Sequence, residues 1–383
     1  MTRNARSDQL HQAVRRFAAG ERAHSFSELA LQITAFQREH SPGFARLCAS
    51  RTRPIESVDD IPGVPCDAFR LARVTLHPEA EDRLRFYTSG TTSGARGMHA
   101  MRVTETYHEL ALHFGRAALL SNERAHHVVA LAPLLDEPPT SSLGHMMAMF
   151  MVDFERRGPF DVRTPERWLI NDQGVDREGL ERAGARARER GETLLVLATS
   201  FALVGLLDAL EGRELLLPAS SVVMQTGGFK GKTREIEPAE LRASVARTFG
   251  IAPAQIVSEY GMTELTSQLY EATVPGSALQ AELPGEPGVY REPPWLRVVP
   301  VDPATLEPVA SGEVGIARIV DLGNIDSAVA IQTQDRVRRV DGGLVLLGRA
   351  AGAPPRGCSL AIEEFMTAPG VRQLLTQGGS DLR

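Results

Sequence analysis

The sequence predicts an α/β fold with parallel strands, and three observations point to it. Short apolar runs of strand length recur through the middle of the chain, at residues 128–131, 194–197, 222–224 and 255–257. Amphipathic stretches of helical spacing, 177–190 and 238–249, lie between or beside them. Strand–helix alternation of this kind is how parallel sheets are written in sequence. Finally, 43% hydrophobic and 23% charged residues over a length of 383 describe a globular chain with ample core.

Residues 1–80 read as a helical N-terminal region. Phe26, Leu29, Ala30, Ile33 and Phe36 recur at helical spacing, and the pattern breaks at Ile61-Pro62-Gly63-Val64-Pro65. Residues 81–340 form the α/β core. Within it the 238–249 helix has Pro238 at its first position and Gly250 just past its end, a sound start and stop. From about residue 285 the chain is richer in Pro, Gly and Val and reads as short strands and turns. Residues 341–383 read as a hinge and a short C-terminal segment.

Composition excludes several functions. A net charge of −6 gives no overall attraction to nucleic acid or an anionic membrane. Three widely spaced cysteines, Cys48, Cys66 and Cys358, make neither a disulfide framework nor a zinc site. The polar start lacks the apolar core of a signal peptide. The longest apolar run, 194–207, includes Thr199 and Ser200 and falls short of the ~20 residues a membrane span needs. These features predict a cytoplasmic protein with no membrane span.

The strongest local signal is Thr88-Ser89-Gly90-Thr91-Thr92-Ser93-Gly94-Ala95-Arg96-Gly97. Hydroxyls donate to phosphate oxygens, and glycines let backbone N–H groups turn inward as an anion nest. A second glycine-rich stretch, Gly227-Gly228-Phe229-Lys230-Gly231-Lys232-Thr233, ends like a P-loop. It has Thr226 where that motif requires glycine, so it is not one. All but two of the 42 basic residues are arginine, and both lysines, Lys230 and Lys232, fall in this stretch. The segment Ser141-Ser142-Leu143-Gly144-His145-Met146-Met147-Ala148-Met149-Phe150-Met151 reads either as a core helix or as the wall of an apolar pocket, with Phe201 as a second wall.

Taken together, the motifs resemble the acyl-adenylate-forming superfamily. Thr88 to Gly94 is similar to its phosphate loop, and Ser258-Glu259-Tyr260-Gly261-Met262-Thr263-Glu264 to its aromatic-Gly-x-Thr-Glu motif. Gln334-Asp335 is similar to its ribose segment, and Leu347-Gly348-Arg349 to the Gly-Arg of its hinge. A closer resemblance is to the LuxE-like acyl-protein synthetases of bacterial bioluminescence. It is carried by Val64-Pro65-Cys66-Asp67-Ala68-Phe69, Thr226-Gly227-Gly228-Phe229-Lys230, Pro294-Trp295-Leu296-Arg297, Asp321-Leu322-Gly323-Asn324 and Arg356-Gly357-Cys358-Ser359-Leu360. The resemblance covers about residues 60–365. It implies stacked α/β subdomains with mixed sheets, the large N-terminal domain of the superfamily, followed by a truncated C-terminal stub. Two letters depart from the pattern: Ser93 stands where glycine is common, and Arg96 where many members carry lysine.

The resemblance also implies roles. Thr88, Ser89, Gly90, Thr91, Thr92, Ser93 and Gly94 would grip the outer phosphates of ATP. Glu259, Tyr260 and Gly261 would flank the adenine, with Gly227 and Gly228 as the opposite wall. Thr263 would touch the α-phosphate, Glu264 would hold Mg2+, and Asp335 would take the ribose with Arg349 beside it. Cys358 matches the acyl-accepting thiol; Arg356 and the flanking glycine favour its thiolate, whereas Cys48 and Cys66 read as core or helix cysteines. His145, Met146, Met149 and Phe201 would face the acid.

The chemistry explains these residue types. A carboxylate is a poor acyl donor until ATP converts it to acyl-AMP, and the charge that builds between two anions must be neutralised. The superfamily's C-terminal lysine has no counterpart, since no lysine follows Lys232; Lys230 or Lys232 is the candidate cation. Capture by a thiol then keeps the acyl group as a thioester. Three functions follow: an acyl-protein synthetase that loads Cys358 and passes the group to a reductase or carrier protein; a ligase that delivers directly to coenzyme A or a carrier thiol; or a nucleotide-binding scaffold without turnover.

Overall fold

The computed structural model describes residues 1–51, 53–88, 96–121, 126–155, 161–227 and 236–350. They divide into two compact units. Residues 1–110, 263–267 and 292 onward make the first, and 111–262 with 268–291 the second.

The first unit opens with three helices, Arg3–Ala18, Phe26–His40 and Pro42–Ala49. Each begins at a hydroxyl cap, Thr2, Ser25 or Ser41, that accepts from an otherwise unpaired N–H of the first turn. Ser25 and Glu28 cap each other reciprocally. The stripe Leu29, Ala30, Ile33 and Phe36 is buried, as its spacing predicts. The long helices stop at Ala49, well short of residue 80. Beyond them, Pro54, Pro62 and Pro65 remove backbone donors, and the described residues form the short turns Val58–Asp60, Ala68–Leu71 and Glu79–Glu81 and the strand Val64–Pro65.

Four antiparallel strands follow one another in this unit: Leu296–Val301, Val314–Asp321, Ala330–Val340 and Gly343–Arg349. Val64–Pro65 adds in parallel to the third, with Val64 opposite Ile331. Short strands were the expectation here, yet Ala330–Val340 runs for 11 residues. Its exposed Arg336 and Arg338 alternate with buried Val337, a one-sided pattern that reads as polar loop in a short window. A separate hairpin pairs Leu84–Tyr87 with Met98–Met101 and sets Phe86 opposite His99.

In the second unit the four apolar runs all become strands. Ile256–Tyr260, Val222–Thr226, Thr193–Thr199 and His126–Pro133 lie side by side in parallel. Helices Arg177–Glu189, Ser200–Leu210 and Pro238–Phe249 share one core with Val129, Val196, Val223 and Ile256. The last of these keeps its predicted bounds because both signals are chemical. Pro238 needs no donor at the helix start, and Gly250 adopts φ +65° at its end. Leu269–Glu271 and Val289–Arg291 continue the sheet in antiparallel order.

A buried ion pair fastens the Pro238–Phe249 helix to these strands. Arg242 donates to both oxygens of Glu271, one at 2.7 Å, and to Ser258 Oγ at 3.1 Å. Glu271 also accepts the Ser258 and Gly288 amides. Removing one partner of such a pair strands the other charge. Arg242→Met is therefore expected to lower the unfolding free energy by about 3–5 kcal/mol in urea titrations; a loss below about 1 kcal/mol would show that Glu271 is not held by this pair.

Candidate active site

In the first unit, the hairpin Leu84–Tyr87/Met98–Met101 carries the hydroxyl- and glycine-rich loop. The neck of that loop is closed by two hydrogen bonds: Thr88 N donates to Gly97 O and Gly97 N to Thr88 Oγ1, both at 2.9 Å. Arg96 tightens it further, donating from Nε to Thr88 O at 2.7 Å while its guanidinium lies over the Tyr87 ring, 5.5 Å from the centroid. Thr88 Oγ1 thus acts as an acceptor at the neck. Ser89, Gly90, Thr91, Thr92, Ser93 and Gly94 lie outside the described residues, as do Gly228, Lys230, Lys232 and Cys358.

The same unit gathers carboxylates from distant parts of the chain. Cys66 follows the Val64–Pro65 strand, and its N–H donates to Gln332 O at 3.1 Å. Burial pushes its thiol well above the ordinary range, and Glu264, Asp335 and Asp67 push it further while Arg349 opposes them. Glu264, Asp335 and Arg349, distant in sequence, thus act on one sulfur together with the adjacent Asp67. Asp335 and Arg349 are cross-strand partners, next to a bulge between Asp335 and Val337. Glu264 is 7% exposed, whereas Asp335 is half-buried and Arg349 exposed.

The second unit presents the other motif. Val222–Thr226 ends at Gly227, which has φ +76°; among the described residues nothing comes within 4 Å of where a Cβ would stand. Ser200 Oγ donates to the Gly227 carbonyl at 2.8 Å. Across the parallel pair, Thr226 Oγ1 donates to Glu259. Glu259 curls beneath Gly261 so closely that a Cβ there would stand 2.4 Å from Oε1. This is why glycine follows the tyrosine. Burial pushes the Glu259 carboxyl up to about 7, against the Thr226 hydrogen bond that lowers it. Tyr260 meets Tyr290 edge-on, with centroids 6.4 Å apart.

The residues expected to face the acid are distributed differently. His145, Met146 and Met149 share the Ser142–Glu155 helix; Met146 is core, while His145 and Met149 are half-buried. Phe201, at the start of Ser200–Leu210, is 46% exposed and points away from the core that its neighbours Ala202 and Leu203 join.

Sequence reasoning missed three residues. Cys66 was assigned to core or helix, yet it sits in a turn beside the carboxylates. Its position directly after the proline-rich break was the available signal. His99 donates to the Thr263 carbonyl, and Asn324 to that of Glu264. Nothing in the letters marks His99, whereas Asn324 belongs to a quoted motif.

In the first unit, Glu264 and Asp335 offer carboxylate oxygens. A hard divalent cation held by one or two carboxylates plus phosphate fits such a set. Among the described residues no group of three or more His, Cys, Asp or Glu stands close enough for a metal, so an all-protein cage is not what the set resembles. No described helix is long and apolar enough to cross a membrane.

The chain is similar to known proteins in sequence and in fold. A family model described as "Acyl-protein synthetase, LuxE" matches residues 53–367. A long-chain-fatty-acid–luciferin-component ligase of Vibrio harveyi is 21% identical over 327 residues, 82% of this chain and 80% of its own. Among solved structures, a 2-hydroxyisobutyryl-CoA ligase in an open conformation with 2-HIB-AMP and CoA is 12% identical. It has a TM-score of 0.55 over 83% of this chain and 72% of that one. The same ligase in its postadenylation state gives 0.56 at 12% identity, over 84% and 68%. These structural likenesses establish a shared fold.

The Glu259 carboxyl makes a test of this geometry. Its folded value of about 7 lies above the ordinary 4.5, so its contribution to stability is complete below about pH 4.5 and is lost as pH rises through 7. Between pH 5 and 8.5 the wild type is expected to lose about 1–3 kcal/mol relative to Glu259→Gln. Parallel stability curves for the two proteins would show that Glu259 is not buried without a cation.

Proposed function

This chain belongs to the LuxE family of acyl-protein synthetases, and from that premise we propose that it activates a carboxylic acid with ATP and transfers the acyl group to a thiol, first its own Cys358 and then a partner protein. In the first step a carboxylate oxygen bonds to the α-phosphorus while the bond to pyrophosphate breaks. In the second, a thiolate bonds to the acyl carbon while AMP leaves with the electron pair.

The residues divide this work. Thr88 to Gly94 supply hydroxyl and amide donors to the outer phosphates. Gly227 and Gly228 leave room for the adenine beside Tyr260, and Asp335, with Arg349 across the strand, takes the ribose hydroxyls. Thr263 donates to the α-phosphate. Glu264 holds magnesium, which bound there would offset charge on the phosphate oxygens. Lys230 or Lys232 supplies the cation where the two anions meet. His145, Met146, Met149 and Phe201 are assigned to the acid, a long aliphatic chain being the class that methionine lines well.

One observation carries this reading: Glu264 and Asp335, far apart in sequence, act on the same buried sulfur, with Arg349 beside them. A further one supports Cys358 as acceptor. Burial pushes the Cys48 thiol up to about 11, and Cys66 is raised by burial and its carboxylates, so both stay protonated at neutral pH.

The test is pyrophosphate release against fatty acids of four to eighteen carbons and aromatic acids, followed by intact-protein mass spectrometry. Cys358→Ala is expected to keep the first turnover of pyrophosphate release and to lose the protein-bound acyl adduct. An adduct that persists in this variant would remove Cys358 as acceptor. Glu264→Gln is expected to slow release about 100-fold while ATP affinity falls only about 10-fold. An unaltered rate would end the assignment of magnesium to Glu264.

A further inference from the structure

The segment Thr263–Ser267 is a turn, and it makes no ladder of its own. Its polar groups are nevertheless held from outside at four of its five positions. His99 Nδ1 lies 2.8 Å from Thr263 O, and Asn324 Nδ2 donates to Glu264 O at 2.9 Å. Asp321 accepts the Thr266 amide at 2.9 Å and the Ser267 hydroxyl at 2.8 Å. Thr266 Oγ1 donates to Asn324 Oδ1 at 2.5 Å.

We infer that His99 and Asn324 are positioning residues for Thr263 and Glu264: each fixes the carbonyl of one of the two and so sets where its side chain stands, without touching substrate. This rests on the roles proposed above for Thr263 and Glu264. It also gives the Asp321-Leu322-Gly323-Asn324 motif a physical task.

The chemistry of each group supports the assignment. A carbonyl only accepts, so His99 carries its proton on Nδ1, and Nε2 accepts from Ser327 Oγ at 3.1 Å. The ring is 2% exposed, and burial lowers its affinity for a second proton, to about 4, so this tautomer persists at neutral pH. Asn324 spends its second donor on Ala328 O at 3.0 Å, leaving no spare capacity. Gly323 permits the approach: a Cβ there would stand 2.6 Å from Thr266 Oγ1.

The loop that carries Asn324 is itself anchored by the N-terminal helices. Gln37 donates to the Asn324 and Ile325 carbonyls at 2.7 and 2.9 Å and accepts from Val329 N at 2.9 Å. Asp326 accepts from Ser7 Oγ at 2.6 Å and lies 3.1 Å from His11 Nε2. Gln37, Ser7 and His11 all precede residue 53, where the family match begins.

Asn324→Asp keeps the shape and loses both donors; His99→Phe keeps the ring and loses its donor; His99→Asn restores an N–H near the Nδ1 position. Two readouts apply: ATP affinity by calorimetry with magnesium and with EDTA, and amide exchange across residues 263–267. In Asn324→Asp and His99→Phe the magnesium-dependent gain in ATP affinity is expected to fall about 10-fold, with affinity in EDTA within about 2-fold of wild type. Exchange at 263–267 should rise about 10-fold or more, and His99→Asn should recover most of both. Wild-type gain and wild-type protection in both variants would overturn the inference. If the wild type binds no ATP, the proposed function fails instead; the exchange readout then decides alone, increased protection loss sustaining the positioning role and unchanged protection ending it.

Discussion

A short turn cannot satisfy its own carbonyls, and much of the first unit is arranged around that constraint at Thr263–Ser267. Buried polar backbone must find partners, and where no ladder supplies them, side chains must. The donors come from a hairpin, through His99, and from the loop after Val314–Asp321, through Asn324. Each donor sits on an element with a second duty. The His99 hairpin also carries the Thr88 neck, and the Asn324 loop leads into Ala330–Val340, which takes the Cys66 amide at Gln332 and then presents Asp335. Fixing one turn therefore sets the frame for every group proposed to meet the nucleotide in this unit.

Charge compensation gives neighbouring acids different characters. Glu271 and Glu259 stand on adjacent strands of one sheet, and both are buried. Among the described residues, Glu271 receives a guanidinium and two amides, and Glu259 one hydroxyl. A single neutral donor does not repay the loss of water around a carboxylate, so Glu259 holds its proton toward neutrality. The same logic applies to the cysteines. Cys66 gains three negative neighbours and one positive one, which together with burial keeps its thiol protonated.

What the sequence revealed followed from how local each signal was. The parallel strands were legible because strands buried on both faces are continuous apolar runs, and the Pro238–Phe249 helix because Pro and Gly mark its ends chemically. The family resemblance was legible as ordered letters. Long-range partners were not. Any donor at the right point can serve a carbonyl, so nothing near His99 announces that its partner lies at Thr263. Cys66 was misread for the same reason: its neighbours Glu264, Asp335 and Arg349 arrive only after the chain has folded. Asn324 was visible as part of a motif, but its task needed the turn it holds.

The choice of arginine at position 96 shows how one substitution moves a demand elsewhere. A planar guanidinium can hold two carbonyls and stack on a ring at once, and Arg96 does so with Thr88, Tyr87 and the Tyr87 face. An ammonium is a point charge without that fork. In this arrangement the neck is closed by the protein's own cation, whose donors are turned toward carbonyls. On the proposed reading, the positive charge facing the phosphates must then come from groups that the loop does not employ for itself. The chain has only two lysines, and both follow the open Gly227 turn. On that reading, a chain otherwise built on arginine keeps its compact point charges for the stretch where an anion would have to be met rather than framed.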